Sequence, residues 1–215
     1  MVCKSQATAV RRKGDVGREA IMDTAERLFA ERGIEAVSLR TINAEAGYSV
    51  AALHYHFGTR DGLIRALLER AQPPIFACRE QMLIELRAHA EPALERVVAA
   101  LVRPLSMELI EKGAAGANRL RFLMRLYFDR SPYMADIREQ SLKVFQPLLH
   151  RALPQLDERI LRRRWVLAGE LAGHALTNVR EHMGIGASAQ LRPSELEHFL
   201  RELVSFITGG LRAPH

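Results

Sequence analysis

Residues 38–60 read SLRTINAEAGYSVAALHYHFGTR, and their capping and apolar spacing set out two short helices. Ser38 is a good N-cap, and Leu39, Ile42 and Ala46 then repeat at helical spacing on one face. Gly47 ends that helix, because a residue without a Cβ adopts the left-handed C-cap conformation at little cost. Ser49 caps a second helix whose inward residues are Leu53 and Phe57. Gly58 closes it, and Thr59 starts the next. Two short helices joined by a tight glycine turn form the unit that lays its second helix in the DNA major groove.

The stretch resembles the DNA-binding domain of the TetR/AcrR transcriptional regulators. Ser38-Leu39-Arg40-Thr41-Ile42, Ala46-Gly47-Tyr48-Ser49 and Tyr55-His56-Phe57 with Arg60 carry the likeness. Upstream, Ile21 to Gly33 (IMDTAERLFAERG) looks like the family's first helix, so the likeness spans roughly the first third of the chain. Departures are His54 where an aromatic is common, Val50 where lysine is common, and Asn43 in place of a small alanine. The resemblance implies an all-α fold: an N-terminal three-helix helix-turn-helix DNA-binding domain, then an α-helical effector-binding and dimerisation domain. It also implies the division of DNA contacts. Ser49, Ala51, Ala52 and His54 would face the groove, with Val50 beside them. Ser38, Arg40, Thr41, Tyr55, His56 and Arg60 would hold the backbone. Ala51 and Ala52 offer only methyl contacts to thymine, so direct readout would be thin.

Composition is consistent with this. The 215 residues bury a real core, 48% are apolar, and no run reaches the ~18 apolar residues of a membrane span. The N-terminus MVCKSQATAVRRKG is basic without an apolar signal core, which leads us to expect a cytoplasmic protein with no membrane partner. The net charge of +6 suits a polyanion partner. It is concentrated early: Lys4, Arg11, Arg12, Lys13 and Arg18 face only Asp15, whereas residues 19–60 are net acidic. Cys3 and Cys78 have no zinc or disulfide spacing, and no metal or cofactor is implied. His54 and His56, two apart on a helix, point in different directions and make a poor metal pair.

In order along the chain, residues 1–15 read as a basic arm, residues 16–62 as the helix-turn-helix domain and residues 63–215 as the helical ligand-binding and dimerisation domain. A first helix over residues 17–32 packs Ile21, Ala25, Leu28 and Phe29 behind the motif, where Leu39, Ile42, Leu53 and Phe57 complete a small core. Leu63, Ile64, Leu67 and Leu68 mark a helix that Gln72-Pro73-Pro74 should interrupt. Further helices follow over residues 75–89, from Pro92 with a kink at Pro104, over 118–129 after a loop at 113–116, from Ser131-Pro132 to about 152, over 157–183, and over 193–208. The total is roughly nine or ten helices.

Isolated polar residues on apolar helix faces are the candidates for an effector pocket: Asn118, Arg121 and Arg125 with Phe122, and His174 with Asn178. His174, Asn178 and His182 share a face at spacing four, a weak metal pattern. Trp165, Ala168, Ala172, Ala175 and Val179 form a stripe on the long helix, and Phe199, Leu200 and Leu203 lie on the last one. Paired with symmetry mates, these would make a four-helix dimer interface, as the family's dimers do.

No nucleophile elbow, phosphate loop, dinucleotide fingerprint or metalloprotease pair occurs, so the chain is not read as an enzyme. The function implied is a one-component transcriptional regulator, a repressor. It would bind a palindromic double-stranded operator as a homodimer and be released by a small, mainly apolar effector. The alternative is a helical DNA-binding or protein-interaction module without a small-molecule effector. A repeat scaffold would need an internal repeat, and none appears.

Overall fold

The computed structural model describes residues 13–186 and 192–214. The arm carrying Arg11 and Arg12, Cys3, and most of the loop before Pro193 lie outside the described residues. Helix α1 spans Lys13–Arg32, starting before the expected residue 17. The motif folds as its caps dictate. Helix α2 is Leu39–Ala46, with the Ser38 side chain accepting from Thr41 N–H, and it ends at Gly47 with φ 73°. Helix α3 is Val50–Phe57, with Ser49 accepting from Ala52 N–H. Ile21, Ala25, Leu28, Phe29, Ile42, Leu53 and Phe57 are buried together as the core of this head, with Leu39 half-buried at its edge.

Helix α4, Arg60–Arg87, carries the chain out of the head without a break at Pro73-Pro74. The interruption expected there does not occur. Ala71, Ile75 and Cys78 are buried on both sides of the prolines, and α4 lies along the next long helix, so packing holds the helical path. Both prolines are exposed. The carbonyls of Glu69 and Arg70, which lose their donors, point toward them, where water can substitute.

Helix α5 is Leu94–Phe128, in two arms that meet at Gly113, with φ 53° and ψ −122°. Its first residue is Leu94 rather than Pro92. Pro104 stays within regular helix, and the bend expected there falls at Gly113, the loop of residues 113–116 shrinking to a sharp reversal. A Cβ on Gly116 would lie 1.8 Å from the Glu108 carbonyl oxygen, so the arms close tightly only with glycine at that position. A 3-10 turn at Pro132–Met134 leads into α6, Ala135–Ala152. Helix α7 is Glu158–Thr177, the short α8 is Val179–His182, and α9 is Pro193–Arg212.

The long helix expected over 157–183 therefore breaks at Asn178. There the Asn178 amide and the Thr177 hydroxyl both donate to the His174 carbonyl, competing with the helical ladder. Among the described residues there is no strand, and no helix is long and apolar enough to cross a membrane.

Charge joins the head to the rest. The Glu26 carboxylate on α1 is buried, 3.1 Å from Arg119 Nε on the second arm of α5 and 2.7 Å from Arg70 Nη2 on α4. Arg119 also meets Glu108 at 3.0 Å across the Gly113 reversal. Arg70 reaches Glu19 and Asp23 at 2.9 and 2.7 Å. Removing one member strands a buried charge. Arg119→Met should therefore cost about 3–5 kcal/mol, measured by urea denaturation, and Arg119→Met with Glu26→Gln should recover part of that loss.

Candidate functional site

The outward face of α3 is the first candidate surface. Leu53 and Phe57 anchor the helix, leaving Val50, Ala51, His54 and Tyr55 exposed, Tyr55 at 86%. Ser38 and Thr41 share a hydroxyl–hydroxyl contact of 2.8 Å at the start of α2, beside exposed Arg40. Ala52 and His56 are half-buried, and the His56 ring sits edge-on to Tyr55 at 5.2 Å. His54 Nδ1 lies 2.6 Å from the Gly58 carbonyl oxygen. That oxygen can only accept, so Nδ1 carries the proton and Nε2 is left for an outside partner.

Arg60 behaves differently from its expected role on the DNA backbone. Its guanidinium turns inward, donating to the Val37 carbonyl at 2.8 Å and to the Ile34 carbonyl, and lies over the Phe29 ring. It closes the turn between α1 and α2. Arg18 and Tyr48 were not singled out from sequence. Arg18 sits over the Phe57 ring, and Tyr48 packs on Gly17, where a Cβ would come within 3.0 Å of the tyrosine ring. Only the folded chain brings α1 onto this turn, so no local signal marks either residue.

The second candidate is a partly open cleft of about 80 Å³ enclosed by α4, both arms of α5, the 3-10 turn, α6 and α7. Its wall is mainly apolar, with Ile75, Phe76, Leu101, Leu105, Met124 and Ile137, and Gln72, Arg79, Tyr127 and Ser141 add polar groups. None of the six residues expected in a pocket lines it. Phe122 is fully buried and stacks on Phe29 at 5.9 Å, joining α5 to the head. Arg125 Nε donates to the Ala30 carbonyl at 3.3 Å, again on the head. Arg121 and Asn118 are half-buried away from the cleft, His174 is exposed, and Asn178 caps α7. On the second arm of α5, Leu123, Met124 and Tyr127 turn to the cleft while Phe122 and Arg125 turn to α1.

The helix stripe expected at a dimer interface is also redirected. Trp165, Ala168, Ala172, Ala175, Val179, Leu200 and Leu203 are buried within the single chain, and Phe199 is half-buried against His182. Trp165 packs on Phe145 of α6 at 4.7 Å. The outward faces of α7 and α9 instead expose Val166, Leu167 (61%), Leu171 and Phe206 (71%). His174 and His182 rings lie 6.0 Å apart, but no group of three or more possible metal ligands occurs among the described residues.

The pattern described as "Bacterial regulatory proteins, tetR family" matches residues 21–67, and that of "Tetracyclin repressor-like, C-terminal domain" matches residues 99–210. An HTH-type transcriptional repressor of Mycobacterium tuberculosis (strain ATCC 25618 / H37Rv) is 34% identical over 116 residues, covering 52% of this chain. The chain spans 58% of that relative's length. The HTH-type transcriptional repressor ComR of Escherichia coli (strain K12) is 33% identical over 64% of this chain and 62% of its own. Among solved structures, a TetR family transcriptional regulator, PfmR, from Thermus thermophilus shares the fold. Its TM-score is 0.57 at 22% identity, over 96% of this chain and 99% of that one.

The inward Arg60 and the outward Tyr55 separate by experiment. Arg60→Ala takes the guanidinium donor from the Val37 carbonyl and leaves the Ile34 carbonyl only the Val37 N–H, and should lower stability by about 1.5–3 kcal/mol in chemical denaturation. Tyr55→Ala, at an exposed position, should leave the midpoint within about 0.5 kcal/mol of the parent.

Proposed function

The chain belongs to the TetR family of bacterial regulatory proteins, and from that premise we propose that it represses transcription by binding a palindromic operator duplex as a homodimer. A small effector in the cleft between α4 and α7 releases it. The observation that carries the DNA reading is the exposed face of α3, with Val50, Ala51, His54 and Tyr55 outward on a helix fixed by Leu53 and Phe57. The same helix is capped at Ser49, so its N-terminal residues approach the base edges. His54 Nε2 and the alanine methyls read bases. Ser38, Arg40, Thr41, Tyr55 and His56 hold phosphates. Arg60 is left out of this set because its donors serve the protein.

Release works through α4. This helix starts at the end of α3, contributes Gln72, Ile75, Phe76 and Arg79 to the cleft, and grips α1 through Arg70 between them. A ligand that prefers a slightly different position of α4 would therefore shift α1 and α3 together. A difference of about 3 kcal/mol between the two states changes DNA affinity more than a hundredfold. The cleft favours this over a DNA-binding module without effector.

Two subunits read a palindrome when their recognition helices lie about one DNA turn apart, ~34–36 Å. The dimer forms through the outward apolar faces of α7 and α9, which pack side by side on α5 and expose Leu167, Leu171 and Phe206 to solvent. An exposed apolar face of this kind is unusual for a monomer.

Selection from a random duplex pool should enrich an inverted repeat, and His54→Ala should relax the preference at one base position in each half-site. A pool without enrichment would overturn the DNA reading. In sedimentation equilibrium the protein should be a dimer at micromolar concentration, and Leu167→Glu with Phe206→Glu should make it a monomer. A dimer that survives both changes places its interface elsewhere.

A further inference from the structure

The cleft holds a cation that the protein itself does not neutralise. Arg79 lies on its wall, and among the described residues no carboxylate forms an ion pair with it. Its Nε donates to the Ala100 carbonyl at 3.4 Å, and its guanidinium lies 5.9 Å from the centre of the Phe145 ring. The reason for the first contact is in the sequence. Pro104 has no N–H to give the carbonyl four residues earlier, which is that of Ala100, and Arg79 takes the vacant acceptor. This fixes the side chain through Nε. The terminal amino groups have no hydrogen-bond partner among the described residues. Filling a proline's gap would need only a neutral donor, and the Phe145 ring face offsets the charge only in small part, so the cation still lacks an anionic partner among the described residues. Burial pushes the guanidinium down to about 10, against a smaller opposite effect of Cys78, and it remains charged at neutral pH.

A second group on the same wall points the same way. Gln72 Nε2 is buried and has no hydrogen-bond partner among the described residues, which leaves a donor costly to desolvate. Tyr127 and Ser141 add hydroxyls. Burial, helped by Glu170, pushes the Tyr127 phenol up, so it stays a neutral group able to donate. The cleft thus presents one unpaired cation and several donors in an otherwise apolar wall of Leu101, Leu105 and Met124.

We infer that the effector is an amphipathic carboxylate. Its carboxylate pairs with Arg79 and accepts from Gln72, and its short apolar chain or ring lies against Leu101, Leu105 and Met124. Arginine suits this role because its planar fork offers a carboxylate two parallel hydrogen bonds, even with Nε engaged elsewhere. The ion pair and the apolar contacts reinforce one another, since a neutral ligand leaves the cation desolvated and a bare anion leaves the apolar wall unused. This assignment rests on the cleft being the effector site.

The test uses the full chain and straight-chain carboxylates from butanoate to decanoate, each beside its primary amide, by thermal shift and calorimetry. At least one carboxylate should bind saturably and about tenfold or more tighter than its amide. Arg79→Met should bring that ratio near one; because it also takes the donor from the Ala100 carbonyl, the acid-to-amide ratio and not the melting temperature of the unliganded protein is the readout. Gln72→Leu should weaken the same carboxylate about tenfold and leave its amide less affected. The comparison of acid with amide on the parent protein needs no variant, so a folding defect cannot blur it. Amides that bind as well as their acids overturn the carboxylate assignment while leaving the effector cleft standing. If neither series binds, the cleft itself falls as an effector site for short amphiphiles, and the assignment with it.

Discussion

Glu26 has to be matched where it sits, and much of the architecture follows from how that is done. Its carboxylate is 3% exposed on α1, the helix that backs the recognition unit. A buried carboxylate needs cations at close range, or it is expelled or neutralised. The two that meet it come from different places: Arg70 from α4 and Arg119 from the far arm of α5. Arg119 can reach it only because the chain reverses at Gly113, which also brings Glu108 to the other side of the same guanidinium. The head, the connecting helix and the body of the second domain are thus held at one electrostatic junction. Stacking of Phe29 on Phe122 beside it adds an apolar seal.

A junction of this kind ties the position of α4 to that of α1. Apolar contacts tolerate small slides, whereas buried ion pairs at 2.7 and 3.1 Å hold α4 and α5 to a narrower range of positions against α1. Tyr133 adds a second tie. Its hydroxyl donates to Asp61 at 2.5 Å, linking the 3-10 turn on the cleft side to the first turn of α4. Hydrogen bonds from Tyr133 and Arg65 hold the Asp61 carboxyl below the usual carboxylate range, so the tie is retained across the neutral pH range.

Prolines act here as a source of free carbonyls rather than as helix ends. Pro73 and Pro74 lie on the exposed side of α4, where the lost donors cost least and apolar packing on the other side keeps the helix intact. Pro104 is buried, and its vacant acceptor is taken by Arg79 from another helix. One chemical fact, the missing N–H, has opposite consequences in the two places because burial decides whether water or a side chain replaces it.

Local chemistry made the helix-turn-helix legible in the sequence. Ser38, Gly47, Ser49 and Gly58 act on backbone groups within four residues of themselves, and their effect is the same in any fold. The apolar spacing that places Leu53 and Phe57 inward is equally local, so the all-α class and the second helix of the motif could be read without coordinates. Which face of a later helix meets which neighbour could not. Trp165 and Leu203 on one side, and Leu167 and Phe206 on the other, are all apolar, and only the packing of α7 and α9 on α5 decides which are core and which remain outward. The same holds for Arg60, whose partners at Ile34 and Val37 are more than twenty residues away, and for Arg119 and Glu26, 93 residues apart. Arg79 is the clearest instance. Its sequence neighbours give no hint of a cation in an apolar cleft without an ion-pair partner among the described residues, because that is a property of every element around it, and those elements meet only in the folded chain.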